Sequence, residues 1–199
     1  MNPRSGSLRQ LLVALRVMIV LTVLVGVAYP AAVTAVGALA LPRQAAGSPV
    51  SVDGTVVGST LIGQSFADDA GNALPEWFQS RPSAGAYDGR ASGGSNLGPN
   101  SPALVDSVAG HAAAVGTGGA VPADALTASA SGLDPHISPA YARLQVARVA
   151  EARGLREADV AALVESKMNG RDLGFLGEPT VNVLELNIAL ATLDTDEGD

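Results

Sequence analysis

The most restrictive feature of this chain is an uncharged and mostly apolar segment, Val17 to Leu41. At about 1.5 Å per helical residue, such a segment spans about 37 Å, whereas the hydrocarbon core of a bilayer is about 30 Å thick. Three arginines lie between positions 4 and 16. The sequence therefore predicts one transmembrane helix over residues 11–41, preceded by a short segment of residues 1–10.

A cleavable signal peptide is the alternative interpretation of this segment. A positively charged start, an apolar stretch and the small residues around Ala38-Leu39-Ala40 fit a signal peptide with its cleavage site. The apolar core of a signal peptide is typically about 7–15 residues, however, and this stretch is much longer. The length favours a retained membrane anchor.

The arginines also predict the orientation of the anchor. Basic residues flanking a membrane helix mark its cytoplasmic side, and only Arg43 lies close behind this segment. We therefore expect a cytoplasmic N-terminus and an extracytoplasmic domain over residues 42–199. That domain ends in an acidic tail from about residue 192.

The charge of the outer part limits its partners. Residues 51–199 contain 19 acidic and eight basic residues, so their net charge is −11. Such a surface repels phosphate backbones, and nucleic acid is excluded as an expected partner. The chain has no cysteine, which excludes disulfides and thiolate metal sites. The length suffices for one small domain.

Small residues recur within the predicted anchor at near-helical spacing. Small side chains let a second membrane helix approach closely, which predicts a partner helix. Small residues are also common in membrane helices generally, and this chain is rich in alanine, so the pattern alone does not decide. The predicted packing positions are Gly26, Ala28, Pro30 and Ala32.

Local patterns beyond the anchor predict an α+β domain with short strands, long loops and a C-terminal helical cluster. Alternating residues around Asp53-Gly54 predict a hairpin from Arg43 to Gly63. Pro75 to Phe78 suits a single helical turn that places Trp77 against the core. Helices are predicted over residues 101–116, 139–153, 156–168 and 182–190, from their capping residues and apolar spacing.

A long loop from Arg81 to Asn100 has almost no apolar periodicity. Loops of this length in a compact domain are usually functional or disordered. The loop lacks the Gly-Lys-Ser/Thr ending of a phosphate-binding loop, so its polar atoms are expected to contact a partner or a hard cation, or to brace the fold. Its candidate contact residues are Ser92, Gly93, Gly94, Ser95, Asn96, Leu97 and Gly98.

A second polar stretch, from Thr127 to Pro139, contains serines, an aspartate and a histidine. A surface hydrolase using His136 is one interpretation, but a catalytic triad requires separately positioned groups, and the usual hydrolase motifs are absent. We expect tight turns here, and no metal site, since the only other histidine is His111. The candidate contact residues are Ser129, Ser131, Gly132, Asp134, Pro135 and His136.

Several stretches, taken together and in order, resemble the KdpC family, the C subunits of bacterial potassium-transporting Kdp ATPases. The stretches are Tyr29-Pro30, Pro42 to Ser48, Leu61 to Phe66, Phe78 to Ala84, Ser92 to Pro99, Thr127 to Pro139, and Leu176 to Pro179 with Val181 to Leu184. Departures are small: Ala130 stands where a glycine is usual, Tyr87-Asp88 stands where Tyr-Asn is usual, and the segment near Gly110 to Gly119 is shortened. The resemblance extends from the anchor to about Leu190.

The resemblance implies a non-catalytic subunit that assembles with a channel-like A subunit, an ATP-hydrolysing P-type B subunit and a small F subunit in the bilayer. It also implies a role as a catalytic chaperone that raises the ATP affinity of the B subunit. The predicted topology disfavours direct ATP contact, because it places every polar loop away from the cytoplasm. A membrane-anchored hydrolase or binding protein remains the alternative function.

Overall fold

The computed structural model describes residues 3–116 and 119–196, and the chain divides into two compact units, residues 1–49 and 50–199. The first unit is dominated by helix α1 (Pro3–Val23), a π-helical turn (Leu24–Ala28) and helix α2 (Tyr29–Ala40). The stretch Leu8–Ala40 is long and apolar enough to cross a membrane by length and composition. The first unit therefore contains a helix of the length and composition that a membrane anchor requires.

The π-helical turn lies directly before Pro30. Proline has no N–H and cannot continue the regular hydrogen bonding of an α-helix. The N–H of Tyr29 instead donates to Leu24 O, one residue further back than in an α-helix. The local departure from α-helical geometry therefore lies in the turn that precedes Pro30.

A short helix α3 (Pro42–Ala45) follows, where the sequence predicted the beginning of a hairpin. That part of the prediction was wrong. The hairpin itself is present, as β1 (Pro49–Val52) and β2 (Thr55–Ser59). Its two turn residues, Asp53 and Gly54, have φ values of 50° and 79°. Positive φ at both positions is required for a two-residue hairpin turn whose twist matches that of the flanking strands.

The second unit contains a small antiparallel sheet with strand order β3-β5-β4. The strands are β3 (His136–Ile137), β4 (Met168–Asn169) and β5 (Thr180–Asn182). Val181 is paired with Ile137 on one side and with Met168 on the other. The predicted α+β class is confirmed.

In the described part of the second unit, five helices accompany this sheet: α4 (Pro102–Val115), α5 (Ala123–Leu126), α6 (Pro139–Arg153), α7 (Glu157–Ser166) and α8 (Val183–Asp196). The predicted bounds of α6 are confirmed, since Ser138 Oγ accepts from Tyr141 N and Gly154 ends the helix at φ 70°. Helix α8 extends beyond the predicted end at Leu190 to Asp196, within the predicted acidic tail, whose last residues lie outside the described part.

The core lies where α6, α7 and α8 meet the sheet. Its fully buried side chains include Phe78, Ile137, Leu186, Leu190, Val149, Val160, Val164 and Val181. Trp77 packs partly buried against this core, as predicted, and the Arg153 guanidinium lies 4.1 Å from its ring centroid. The turn here is closed by Trp77 N, which donates to Leu74 O at 3.3 Å, and residues 75–78 are not the predicted turn of helix.

An irregular segment crosses between α6 and α8 and is held there by amide side chains. The side chain of Gln145, on α6, accepts from Gln79 N at 2.7 Å and donates to Gln79 O at 3.1 Å. The Arg148 guanidinium donates to Gln145 Oε1 and to Trp77 O. These bonds satisfy backbone N–H and C=O groups that a neighbouring strand would otherwise pair. They also position the segment that follows, which includes Arg81.

Candidate subunit interface

Two loops that are far apart in the sequence meet in the structure. We call residues 92–98 the serine-glycine loop and residues 127–136 the aspartate-histidine loop. The N–H of Gly93 donates to Ser131 O at 2.8 Å, and Ser92 Oγ donates to the same carbonyl at 3.0 Å. The structure thus unites the two predicted contact stretches into one surface.

Glycine makes this close approach possible. Gly132 is buried and has a φ of 69°, and a Cβ there would lie 2.7 Å from Gly93 O. A Cβ on Gly94 would lie 2.9 Å from Ala130 O. Both distances are shorter than real Cβ contacts, so a side chain at either glycine would push the loops apart.

A short segment from Arg81 to Ser83 supports the aspartate-histidine loop from beneath. Ser129 is buried, and its N–H donates to Pro82 O at 2.9 Å. Ser83 Oγ donates to Gly132 O at 2.7 Å. Because the Ser129 and Ser131 hydroxyl oxygens also lie 3.1 Å apart, the serines of this loop are engaged in shaping it.

Asp134 is the electrostatic centre of the surface. One carboxylate oxygen accepts from Arg81 Nη1 at 3.1 Å, and the other accepts from His136 N at 3.0 Å. The His136 ring, with Nδ1 3.7 Å from that oxygen, is the largest influence that lowers the pKa of Asp134, and Arg81 lowers it further. Partial burial opposes these effects, and the carboxyl pKa lies below its ordinary value.

The aspartate-histidine loop is also fixed to the rest of the unit. Gly63 N donates to Leu133 O at 2.9 Å, and Val183 N donates to Pro135 O at 3.0 Å. Ser138 Oγ donates to Asp124 Oδ1 at 2.9 Å while capping α6. The loop is therefore held from the hairpin side, from α8 and from α5.

An open depression of about 460 Å³ lies on this surface. Its lining combines apolar and polar groups: Leu61, Ile62, Arg81, Ser92, Ser129, Ala130, Ser131, Leu133, Asp134 and Pro135. Arg81 Nε is buried and has no hydrogen-bond partner among the described residues. Such a shallow, mixed surface is suited to contact with another protein surface.

The remaining predicted contact residues are placed differently. Ser95, Asn96, Leu97 and Gly98 are exposed at the far end of the serine-glycine loop, with Asn96 at a φ of 53°. The predicted helix-packing positions lie elsewhere, in the first unit. Gly26 and Ala28 belong to the π-helical turn, Pro30 and Ala32 belong to α2, and all four are exposed.

Sequence reasoning did not single out Arg81, Ser83 or Gly63 as site residues. Each lies in a stretch that carries the family resemblance, and this membership was the sequence signal that could have identified them as site residues. A Cβ on Gly63 would lie 2.5 Å from Asp134 O, so this glycine is required for the hairpin side to reach the loop. Their importance is visible only once the loops are placed in space.

Comparison with known proteins assigns the chain to a family of transporter subunits. The family model described as KdpC, the c chain of the K⁺-transporting ATPase, matches residues 11–192. The potassium-transporting ATPase KdpC subunit of Kineococcus radiotolerans is 56% identical over 94% of this chain and 95% of its own length. Those of Sorangium cellulosum and Paraburkholderia phytofirmans are 55% and 52% identical, over 89% and 86% of this chain and 94% and 90% of theirs. The chain belongs to the KdpC family.

Proposed function

We propose that this chain is a non-catalytic accessory subunit of a high-affinity, ATP-driven potassium importer. It assembles and stabilises a channel-like A subunit, an ATP-hydrolysing P-type B subunit and a small F subunit. The observation that carries the proposal is the family match over residues 11–192, which includes the apolar helix and both loops. The united loop surface is the proposed contact with a partner subunit.

Backbone N–H groups of this surface are bonded within it, and this favours a protein contact over a phosphate-binding site. A phosphate loop offers free N–H groups, whereas the N–H of Gly93 is already bonded to Ser131 O. The exposed end of the serine-glycine loop leaves side chains, from Ser95 to Leu97, for a partner. A role in raising ATP affinity would then act through the B subunit and not through direct ATP contact.

The same bonding argues against an anchored hydrolase. The Ser138 hydroxyl donates to Asp124, and Ser131 Oγ accepts from Leu133 N at 3.1 Å. The Asp134 carboxylate beside His136 also holds Arg81. We expect a His136→Ala variant to support potassium uptake, and complete loss of uptake from a normally assembled complex would revive the catalytic alternative.

The proposed orientation places the second unit outside the cytoplasm, over the potassium entrance of the channel-like subunit. The net charge of −11 over residues 51–199 supports this placement, because a negative field raises the local concentration of cations. Neutralising several exposed acids should leave assembly intact and weaken uptake at low ionic strength. Unchanged uptake would reject the steering role.

The test of the assembly role is co-purification. The chain is tagged at its C-terminus, native membranes are extracted in mild detergent, and the bound proteins are identified by mass spectrometry. Recovery of a P-type ATPase with a channel-like subunit supports the proposal, whereas recovery of the chain alone rejects it. Because the chain has no cysteine, a Ser95→Cys variant tests the orientation: a membrane-impermeant maleimide should label it in intact spheroplasts.

A further inference from the structure

A second exposed surface lies far from the two loops in the sequence, between β4 and β5. We call residues 171–178 the apolar loop. Three of its large apolar side chains are exposed: Leu173 by 83%, Phe175 by 69% and Leu176 by 49%. The chain has three phenylalanines, all within the described residues, and the other two are partly or fully buried in the core.

The apolar loop has a defined shape. Asp172 N donates to Leu176 O at 2.9 Å, and Leu176 N donates to Asp172 O at the same distance. Gly174 N donates to Arg171 O at 3.1 Å, which closes the turn between them. Because the loop satisfies these backbone groups internally, its apolar side chains are displayed on a preorganised turn.

The conformation of Leu173 shows that the fold does not benefit from this side chain. Its φ is 53°, in the left-handed region that favours glycine and asparagine. Its side chain gains almost no burial in return, and exposed apolar surface in a cluster usually marks an interaction site. The leucine therefore carries a conformational cost that only an additional contact would offset.

The charges of the loop indicate which kind of partner covers it. Residues 171–178 contain one basic and two acidic residues, and Arg171 pairs with Glu178. Loops that insert into a bilayer surface usually combine apolar tips with several lysines or arginines, which this loop lacks. The net charge of −11 over residues 51–199 further disfavours an anionic lipid surface.

We infer that the apolar loop inserts Leu173 and Phe175 into an apolar pocket, rimmed by a basic group, on another protein subunit of the transport complex. The basic rim would meet Asp172, which has no cationic side chain paired with it among the described residues. A convex apolar tip that fills a pocket is the usual arrangement at the centre of a protein interface. This inference rests on the proposed function, because it requires the other subunits.

The test uses single cysteines, since the chain contains none of its own. Phe175→Cys is compared with Val105→Cys, a position on α4 that is 65% exposed. Each full-length variant is labelled with a water-soluble maleimide, first as the purified chain and then within the purified complex. We expect similar rates in the free chain and, in the complex, labelling at position 175 about tenfold slower than at position 105.

The same cysteines carry a benzophenone for photo-crosslinking in the complex. A cross-link from position 175 into another subunit supports the inference, and mass spectrometry of the linked peptide identifies the pocket. Equal labelling at both positions in the complex overturns it, as does a cross-link confined to lipid or to a second copy of this chain. If the Val105→Cys chain does not co-purify with a P-type ATPase, the proposed function itself fails.

A second variant avoids dependence on chemical labelling. Leu173→Asn removes the apolar side chain while asparagine tolerates the positive φ. The free chain should therefore unfold at an unchanged or higher temperature, whereas retention of the chain on the complex during washing should fall by about tenfold. Retention equal to that of the unmodified chain would overturn the inference.

Discussion

The side-chain amide of Asn187 forms two hydrogen bonds with the backbone of Phe78. Phe78 N donates to Asn187 Oδ1 at 2.9 Å, and Asn187 Nδ2 donates to Phe78 O at 3.0 Å. Both residues are at most 1% exposed. Gln145 makes the same pair of bonds with Gln79, so two adjacent residues of an irregular segment are each paired with an amide from a different helix.

Replacing Asn187 with leucine should strongly destabilise the chain. The substitution leaves the N–H and C=O of Phe78 buried without partners, at a cost of about 2–5 kcal/mol in the free energy of unfolding. Chemical denaturation of the purified chain measures this loss. Glu185→Gln, on an exposed position of the same helix, is the matched control, and a loss equal to that of the control would contradict the pairing.

Replacing Gly132 with alanine should separate the two loops. The new Cβ would meet Gly93 O while the backbone remained at a positive φ, and we expect a loss of about 1–3 kcal/mol in unfolding free energy. Gly98→Ala is the control, because it has open space and no positive φ and should change stability by less than about 0.5 kcal/mol.

Hydrogen exchange at Gly93 provides the specific measurement for this variant. The Gly93 N–H donates to Ser131 O, so its exchange should accelerate in Gly132→Ala. Unchanged protection at Gly93, together with unchanged stability, would mean that the loops do not depend on Gly132.

Asp134 should make stability depend on pH under acidic conditions. Its folded-state pKa is lowered, first by the His136 ring and then by Arg81, so the ionised carboxylate favours the folded state. That contribution is fully present above the unfolded pKa of about 3.9 and is lost as pH falls through the folded pKa. The unfolding free energies of the unmodified chain and Asp134→Asn should therefore converge as pH falls below about 4.

This convergence is measured by urea denaturation at several pH values below 5, with Asp106→Asn on α4 as the control. Asp106 is exposed, so its replacement controls for the loss of one negative charge. If the difference in unfolding free energy between the unmodified chain and Asp134→Asn stayed constant down to the lowest pH, the ionised Asp134 carboxylate would not stabilise the fold.

Arg148 should not be replaceable by lysine. Its guanidinium is partly buried, which lowers its pKa, and it donates to Trp77 O from both Nη atoms and to Gln145 Oε1 at 2.6 Å. A lysine cannot reproduce this fork, so Arg148→Lys should lose about 1–3 kcal/mol in thermal or chemical unfolding. Arg156→Lys, on an exposed side chain paired with Asp159, should change stability by less than about 0.5 kcal/mol.

Local signals predicted the parts of the fold that are determined locally. Ser138 and Gly154 mark the ends of α6, Asp53-Gly54 marks the hairpin turn, and the Asn182 cap marks the start of α8, where its Oδ1 accepts from Glu185 N. Each signal acts within a few residues, through a cap or a required φ, and is readable in a single sequence.

The parts that were missed depend on distant residues. Strands β3, β4 and β5 have two or three residues each, too few to show an alternating pattern. The two contact loops were each identified, but their union through Gly93 and Ser131 was not, because a backbone bond between loops leaves no periodic trace. The predicted hairpin began at Arg43, but Arg43 to Ala45 belong to helix α3, because so short a segment carries little secondary-structure propensity of its own.

The paired amides also impose an order on how the chain can mature during synthesis. Phe78 and Asn187 are 109 positions apart, and Gln79 and Gln145 are 66 positions apart. The segment around Phe78 therefore emerges from the ribosome long before either of its partners exists. The backbone of Phe78 must therefore remain unpaired until α8 has been synthesised. The second unit cannot complete its fold in the order of synthesis, and its core closes only once α8 is present.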